Sequence, residues 1–370
     1  MVEKLKQQLR AKLSPDNVIL ALEEKGFCVT QLKDGTVTRN EARNIEDLAK
    51  FVNGSSIAWA DYVIEDMEND APKAAAAFGF SETLIKTLLK EKRSGYEDLE
   101  SEMGIMLPAI LVTGFSVNLN PLLILLNKNL ILTLHTTEVK RFFRLRRYGE
   151  PMMRKLPRKA LLKDKLTMVL IRILDENNSR NFDHLREIEE HGDKLSAELA
   201  DPKTRRELLG QKIYEMKHTL ILYLDGLWAT IDALNSLRYG DADILTDNAK
   251  LLNRINALVG EVQSQIGLAE HLSEVLASGL EVVQSIYNNQ LQVLNNKLAL
   301  LVGYLTIIGT ALIVPNTIAT ALSNPAFSLT PKDVWWYSAV LVGSTILSTL
   351  VAWWWVKQQG FLPKSYDDTE

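Results

Sequence analysis

The run LALLVGYLTIIGTALIVPNTIATAL, from Leu298 to Leu322, contains no charged residue. It exceeds the ~18 residues that mark a candidate membrane-spanning helix. Val334 to Val356 is a second uncharged run. About ten residues separate the two, centred on SNPAFSLTPKD, so two spans would form a hairpin that returns the chain to the side it left. Trp335, Trp336 and Tyr337 open the second run, and Trp353, Trp354 and Trp355 close it. Aromatic belts at two membrane–water interfaces have this placement. Lys297, Lys357 and Lys364 fall on one side and Lys332 on the other. The large charged N-terminal part therefore sets the expected orientation, with both termini in the cytoplasm.

Upstream of the first run, apolar residues recur at steps of three or four from Leu251 through Ile255, Leu258, Val262, Ile266, Ala269, Leu272 and Leu276, then through Leu280, Val283, Tyr287, Leu291 and Leu294 to Leu298. Their mean step, about 3.6, is the period of one straight α-helix. No proline interrupts the pattern, which predicts a helix from about Thr246 into the first span, roughly 100 Å long at 1.5 Å per residue. A helix that long with one apolar stripe must bury it against upstream helices or against other copies of the chain, so oligomerisation is expected. Leu156 to Leu237 also reads as helical, with a break at Asp201-Pro202 suggesting an antiparallel hairpin beside this stalk. The first 150 residues are mixed. Strand-like runs at Gly26–Thr30, Ile57–Val63, Ala109–Thr113 and Leu130–Leu134 alternate with helical stretches at Glu41–Val52 and Glu82–Glu91.

The chain as a whole is 46% apolar and 24% charged, which conceals the asymmetry between a charged N-terminal part and an uncharged C-terminal hairpin. A net charge of −4 gives no basis for binding nucleic acid, which needs a concentrated basic face. The one cysteine, Cys28, forms no internal disulfide, and the N-terminal MVEKLKQQLRAKL is too charged for a signal peptide, so a reducing cytoplasm is expected for the large domain. The five histidines are scattered, and none pairs with cysteine at metal-ligand spacing. There is no GxxxxGK[ST], GxGxxG, HExxH or GxSxG motif, so no nucleotide partner, hydrolytic activity or other enzyme function is expected. Arg141-Phe-Phe-Arg-Leu-Arg-Arg, the densest basic run, reads as the exposed face of an amphipathic helix near the sheet.

In order and in several segments the chain resembles the CorA family of divalent metal-ion channels. Trp59-Ala-Asp-Tyr-Val is similar to that family's Trp-Ile-Asp strand, and Phe78-Gly-Phe-Ser to its FGLH turn. Leu125-Leu-Asn-Lys-Asn-Leu-Ile-Leu-Thr-Leu-His resembles the pattern around GKNFLVTVH. Asn296-Lys-Leu, Leu305-Thr-Ile-Ile-Gly-Thr and Pro315-Asn-Thr resemble NRM…LTIIATIFIPLT, with one extra residue here before the proline. The resemblance implies an α+β fold: a cytoplasmic αβα sandwich, a long helical stalk and two C-terminal transmembrane helices, assembled as a funnel-shaped homopentamer in the cell membrane. The parts expected are the αβα domain at 1–150, a helical hairpin at 151–245, the stalk at 246–297, a pore-lining first span at 298–323, an outer loop at 324–333, a second span at 334–356 and a tail at 357–370. One departure is plain. Where the family carries Gly-Met-Asn after the first span, this chain has Asn324-Pro325-Ala326, followed by the matching Phe327.

Asn296, Gly303, Thr306, Thr310, Thr317, Thr320 and Asn324 are spaced by three, four or seven, which places them on one face of the first span. With the resemblance, Gly303, Thr306, Thr310, Thr317 and Thr320 are expected to line a neutral pore, and Asn324 to supply an outer ring of oxygens. Such a lining suits an ion that keeps most of its water, as Mg²⁺ does. The alternative for the threonines is that they bond back to their own helix, and for Asn324 that it caps the helix end before Pro325. Asp241, Asp243 and Asp247 could belong to a cytoplasmic cation-sensing site, or could form a solvated turn in which Thr246 or Asp247 caps the stalk. No cofactor is expected; a divalent cation is the expected transported ion and could also act as a gating ligand. The expected function is a gradient-driven Mg²⁺ channel. The alternatives are transport of Zn²⁺, Co²⁺ or Ni²⁺, or a non-conducting membrane scaffold.

Overall fold

Apolar residues recur through Gly26–Gln31 (β1), Ile57–Ile64 (β3) and Leu130–Thr136 (β7), and these strands are buried almost throughout. Burial of that extent requires cover on both faces of the sheet. In the computed structural model, which describes residues 25–91, 93–114, 116–200, 206–239, 242–324 and 330–358, they form the middle of a seven-stranded sheet of order β2-β1-β3-β7-β6-β5-β4. The remaining strands are Val37–Ala42 (β2), Gly95–Asp98 (β4), Glu102–Thr113 (β5) and Ser116–Asn127 (β6). Every neighbouring pair is antiparallel except β3 and β7, which run parallel with Ala58 opposite Leu130.

One face of the sheet is covered by Ile45–Val52 (α1), Met67–Ala77 (α2) and Glu82–Lys90 (α3). Leu48, Ala74, Ala75, Leu84 and Leu88 from these helices join Ala58, Ala60, Leu125 and Leu132 from the strands in one apolar layer. Capping fixes two of the helix starts. Asp66 accepts from the N–H groups of Glu68 and Asn69 ahead of α2, and Ser81 accepts from Leu84 ahead of α3. The other face carries Arg141–Arg154 (α4), Leu162–Asn178 (α5) and part of Arg206–Tyr239 (α7). Glycines permit the closest approaches: a Cβ at Gly149 would lie 2.9 Å from Phe27 Cζ, and one at Gly226 would lie 2.7 Å from Leu119 Cδ2. Asn181–Ala200 (α6) and Ala249–Leu322 (α8) complete the helices before the short 3₁₀ turn Pro331–Asp333, which leads into Val334–Gln358 (α9). The chain divides into two compact units, Met1–Leu280 and Glu281–Glu370.

Three expectations change. The helix anticipated from Glu41 begins at Ile45, because Val37–Ala42 pairs with β1 through the Asp34-Gly35 turn, where Gly35 has φ 89°. The basic run is not simply an exposed face, since Arg141 and Arg146 are buried beneath α4. The long helix starts at Ala249 rather than near Thr246, and Asn248, not Thr246 or Asp247, caps it, its Oδ1 accepting from Lys250 N at 3.0 Å. Thr246 is buried instead, with its N–H on Thr167 Oγ1 at 3.1 Å and its hydroxyl on Asp164.

Candidate functional site

The C-terminal part of α8 and the whole of α9 are long and apolar enough to cross a membrane. Within unit 2, Ser348, Ala352 and Val356 of α9 are buried, and Ser348 Oγ donates to Ala311 O of α8 at 3.3 Å. Gly303 lies on this α9-facing side: it is buried, and a Cβ there would be 3.8 Å from Val356 Cγ1. The spacing that grouped Gly303 with the threonines therefore places it at the edge of their stripe, where a small residue admits α9. Thr306, Thr310, Thr317 and Thr320 are exposed. Each hydroxyl donates to the carbonyl four residues back, on Val302, Thr306, Ile313 and Asn316, at 2.8 to 2.9 Å. With its proton committed to the helix, each oxygen presents only lone pairs outward. Asn324 follows the helix end and is exposed, its backbone N–H on Ala321 O at 3.2 Å. Pro325 and the rest of the joining segment lie outside the described residues.

The acidic turn before the long helix presents its described carboxylates to solvent. Asp243 and Asp247 are exposed, Asp241 lies outside the described residues, and Ala242, Ile244 and Leu245 are buried between them. Among the described residues no group of three or more His, Cys, Asp or Glu side chains is placed to hold a metal.

Unit 1 contains a buried charge cluster that the sequence reading did not assemble. Asp61 on β3 is fully buried. Its carboxylate accepts from Arg146 Nε at 2.5 Å and from Thr133 Oγ1 at 2.5 Å, with His135 Nε2 at 3.2 to 3.3 Å. Trp59 Nε1 donates to Thr133 Oγ1 at 3.2 Å, and the Arg146 guanidinium lies 4.9 Å over the Phe143 ring. Burial alone would push the Asp61 carboxyl up; Arg146 and His135 outweigh it and hold the group well below the usual carboxylate range. Asp61 and the Thr133/His135 pair both stand in segments singled out for other reasons, and strand alternation could have turned them to one face. The cluster is closed to solvent and locks α4 onto the sheet, so its part is structural.

The family model for CorA-like Mg²⁺ transporter proteins matches residues 54–358. The chain belongs to the CorA-like family. No curated protein sequence matches it. Among solved structures, this CorA-like chain is similar to the complete CorA magnesium transporter from Methanocaldococcus jannaschii, with a TM-score of 0.61 and 19% identity over 88% of this chain and 96% of that one. It is similar also to the full-length CmaX protein, with a TM-score of 0.57 and 18% identity over 91% of this chain and 98% of that one. At these identities the likeness is one of fold: an N-terminal α/β domain, a long helix and two candidate transmembrane helices. The family match spans both the Asp61 cluster and the threonine stripe.

Proposed function

We propose that this CorA-like chain is a divalent-cation channel with Mg²⁺ as its cargo, built as a homopentamer in the cell membrane with both termini in the cytoplasm. The carrying observation is the line of exposed threonines on the uncharged, membrane-candidate part of α8. A polar line on a spanning helix belongs against protein or water. Five copies around an axis would turn Thr306, Thr310, Thr317 and Thr320 into rings of acceptor oxygens, with Asn324 at the outer end. The waters around a divalent cation are polarised donors, so acceptor-only rings match an ion that travels with its water shell. Family membership supports the same reading. An inside-negative potential contributes about 2.3 kcal/mol per charge per 100 mV, twice that for a divalent ion, and needs no nucleotide hydrolysis.

One observation favours a second reading. Asn324-Pro325-Ala326 stands where the family carries Gly-Met-Asn, and a changed outer ring is where preference would move toward Zn²⁺, Co²⁺ or Ni²⁺. The test is uptake into liposomes bearing the purified protein and a trapped indicator, with each of the four ions supplied alone and in competition. Saturable Mg²⁺ uptake supports the first reading, and preferred uptake of another ion supports the second. No uptake of any of the four would leave a non-conducting scaffold.

A further inference from the structure

The basic run that the sequence offered as an exposed helix face forms one wall of a cavity of about 350 Å³ in unit 1. Lys140, Arg144 and Arg147, at i, i+4 and i+7, lie on one side of α4 and its N-terminal flank, and Arg180 enters from the turn between α5 and α6. Arg141 forms part of the lining from below. It is buried, its guanidinium donates to the carbonyls of Ile110 and Asn177, and burial lowers its pKa only to about 10, so it stays charged. Against these five cations the lining holds one carboxylate, Glu138. Arg144 has a distant partner in Glu176 at 3.6 Å, and among the described residues Lys140, Arg147 and Arg180 make no ion pair. Like charges gathered in a partly enclosed space repel, and the field they focus attracts an anion.

The remaining lining narrows the class of anion. Leu111, Val112 and Phe143 supply an apolar wall. His184 is also in the lining, its Nδ1 buried and, among the described residues, without a hydrogen-bond partner. Burial, with Arg141 and Arg180 close by, pushes this imidazole down to about 4, so at neutral pH it is uncharged. A bare metal cation is repelled here. A single inorganic phosphate would leave the apolar wall empty, whereas a cavity of this size accommodates a small organic molecule. We propose that the cavity binds a small organic polyphosphate of the nucleoside di- or triphosphate class, its phosphates on Arg144, Arg147 and Arg180 and its planar group against Phe143 and Leu111. Guanidinium forks suit phosphate oxygens, and an aromatic face suits a base. The cavity lies wholly within unit 1, so this inference stands apart from the transport reading.

The test is calorimetric titration of the full-length protein in a neutral detergent, with chelator present, using ATP, ADP, inorganic pyrophosphate and adenosine. The expected result is saturable binding of ATP and ADP at one per chain, weaker binding of pyrophosphate and none of adenosine. R147A and R180A, which alter exposed unpaired side chains and spare the fold, should each weaken ATP binding at least tenfold. The remote K50A should leave it unchanged. Absence of ATP and ADP binding would overturn the proposal, as would unchanged affinity in both arginine variants. Pyrophosphate binding as tightly as ATP would overturn the organic part. Displacement of ATP by equimolar short-chain phosphatidylglycerol would reassign the cavity to a lipid headgroup.

Discussion

The two halves of the long helix α8 carry the same apolar period and opposite surroundings. From Leu251 to Leu276 the stripe is buried or half-buried: Ile255, Val262 and Ala269 are wholly inaccessible, and at its lower end Leu272 and Leu276 share a cavity with Ile188, Leu195, Ile213 and Met216 of unit 1. Beyond it, Tyr287, Leu291, Leu294 and Leu298 are 42% to 57% exposed, although the period is unbroken. The apolar stripe thus states a requirement for cover without stating who provides it. In the first half the chain provides its own. In the second, the cover must be other copies or lipid.

The comparison is broken most severely by a charge. Val262→Asp, which buries an unpaired carboxylate, should cost unit 1 about 3–5 kcal/mol or prevent folding, whereas Leu291→Asp should leave its thermal unfolding in place and lower the assembled fraction. Circular-dichroism melts and light scattering of both variants read the two effects. Equal loss of stability in both would erase the distinction. Asp61→Ala, which strands the Arg146 charge in the sheet domain, should cost about 3–5 kcal/mol in the same melts, again without touching the exposed half. Thr317→Leu should cut cation flux at least tenfold while assembly and melting stay as in the parent, because the side chain is exposed and its hydrogen bond is internal to the helix. Flux equal to the parent's would remove the threonine line from the conduction path.

The smallest effect is a pH dependence confined to unit 1. His184 is held below the ordinary histidine value of about 6.5, down to about 4, by burial and then by Arg141 and Arg180. The unfolded chain therefore takes up this proton more readily than the fold. The contribution is whole above about pH 6.5 and is lost as pH falls toward 4. Since the ring is partly exposed, the loss should be under about 1 kcal/mol. His184→Gln should flatten the stability profile in that window and leave any steeper fall below about pH 4, where the unfolded chain's Asp61 takes up a proton that the folded one, held down by Arg146 and His135, still refuses.

How far each part was legible follows the same division. The two uncharged runs and the long apolar period were readable because membrane and helix impose long-range regularities on sequence. β1, β3 and β7 were readable because their buried faces demand apolar residues at nearly every position. β2 escaped because it is an edge strand of Thr, Arg, Asn and Glu, and only the Asp34-Gly35 turn announces it. β6 escaped because its polar first half and Pro121 dilute the strand signal. The arginines of α4 were misread because helical spacing fixes which residues share a face, while the partner strand decides which face is buried. For the candidate pore, Gly303 shares the threonines' period yet sits against α9, a division of one face that spacing alone does not make.

The parallel pairing of β3 with β7 carries a consequence for the timing of synthesis. β1, β2 and β3 can join as soon as they emerge, but the open edge of β3 waits for a partner that begins about seventy residues later, with β4, β5 and β6 made in between. At roughly 5–20 residues per second on the ribosome, that edge stands unpaired for about 4 to 14 seconds. An unpaired edge of apolar strand is where wrong partners add. During the same interval Asp61 has neither His135 nor Arg146 beside it, so its charge, still hydrated, keeps the waiting edge soluble until the strand and helix that enclose it arrive.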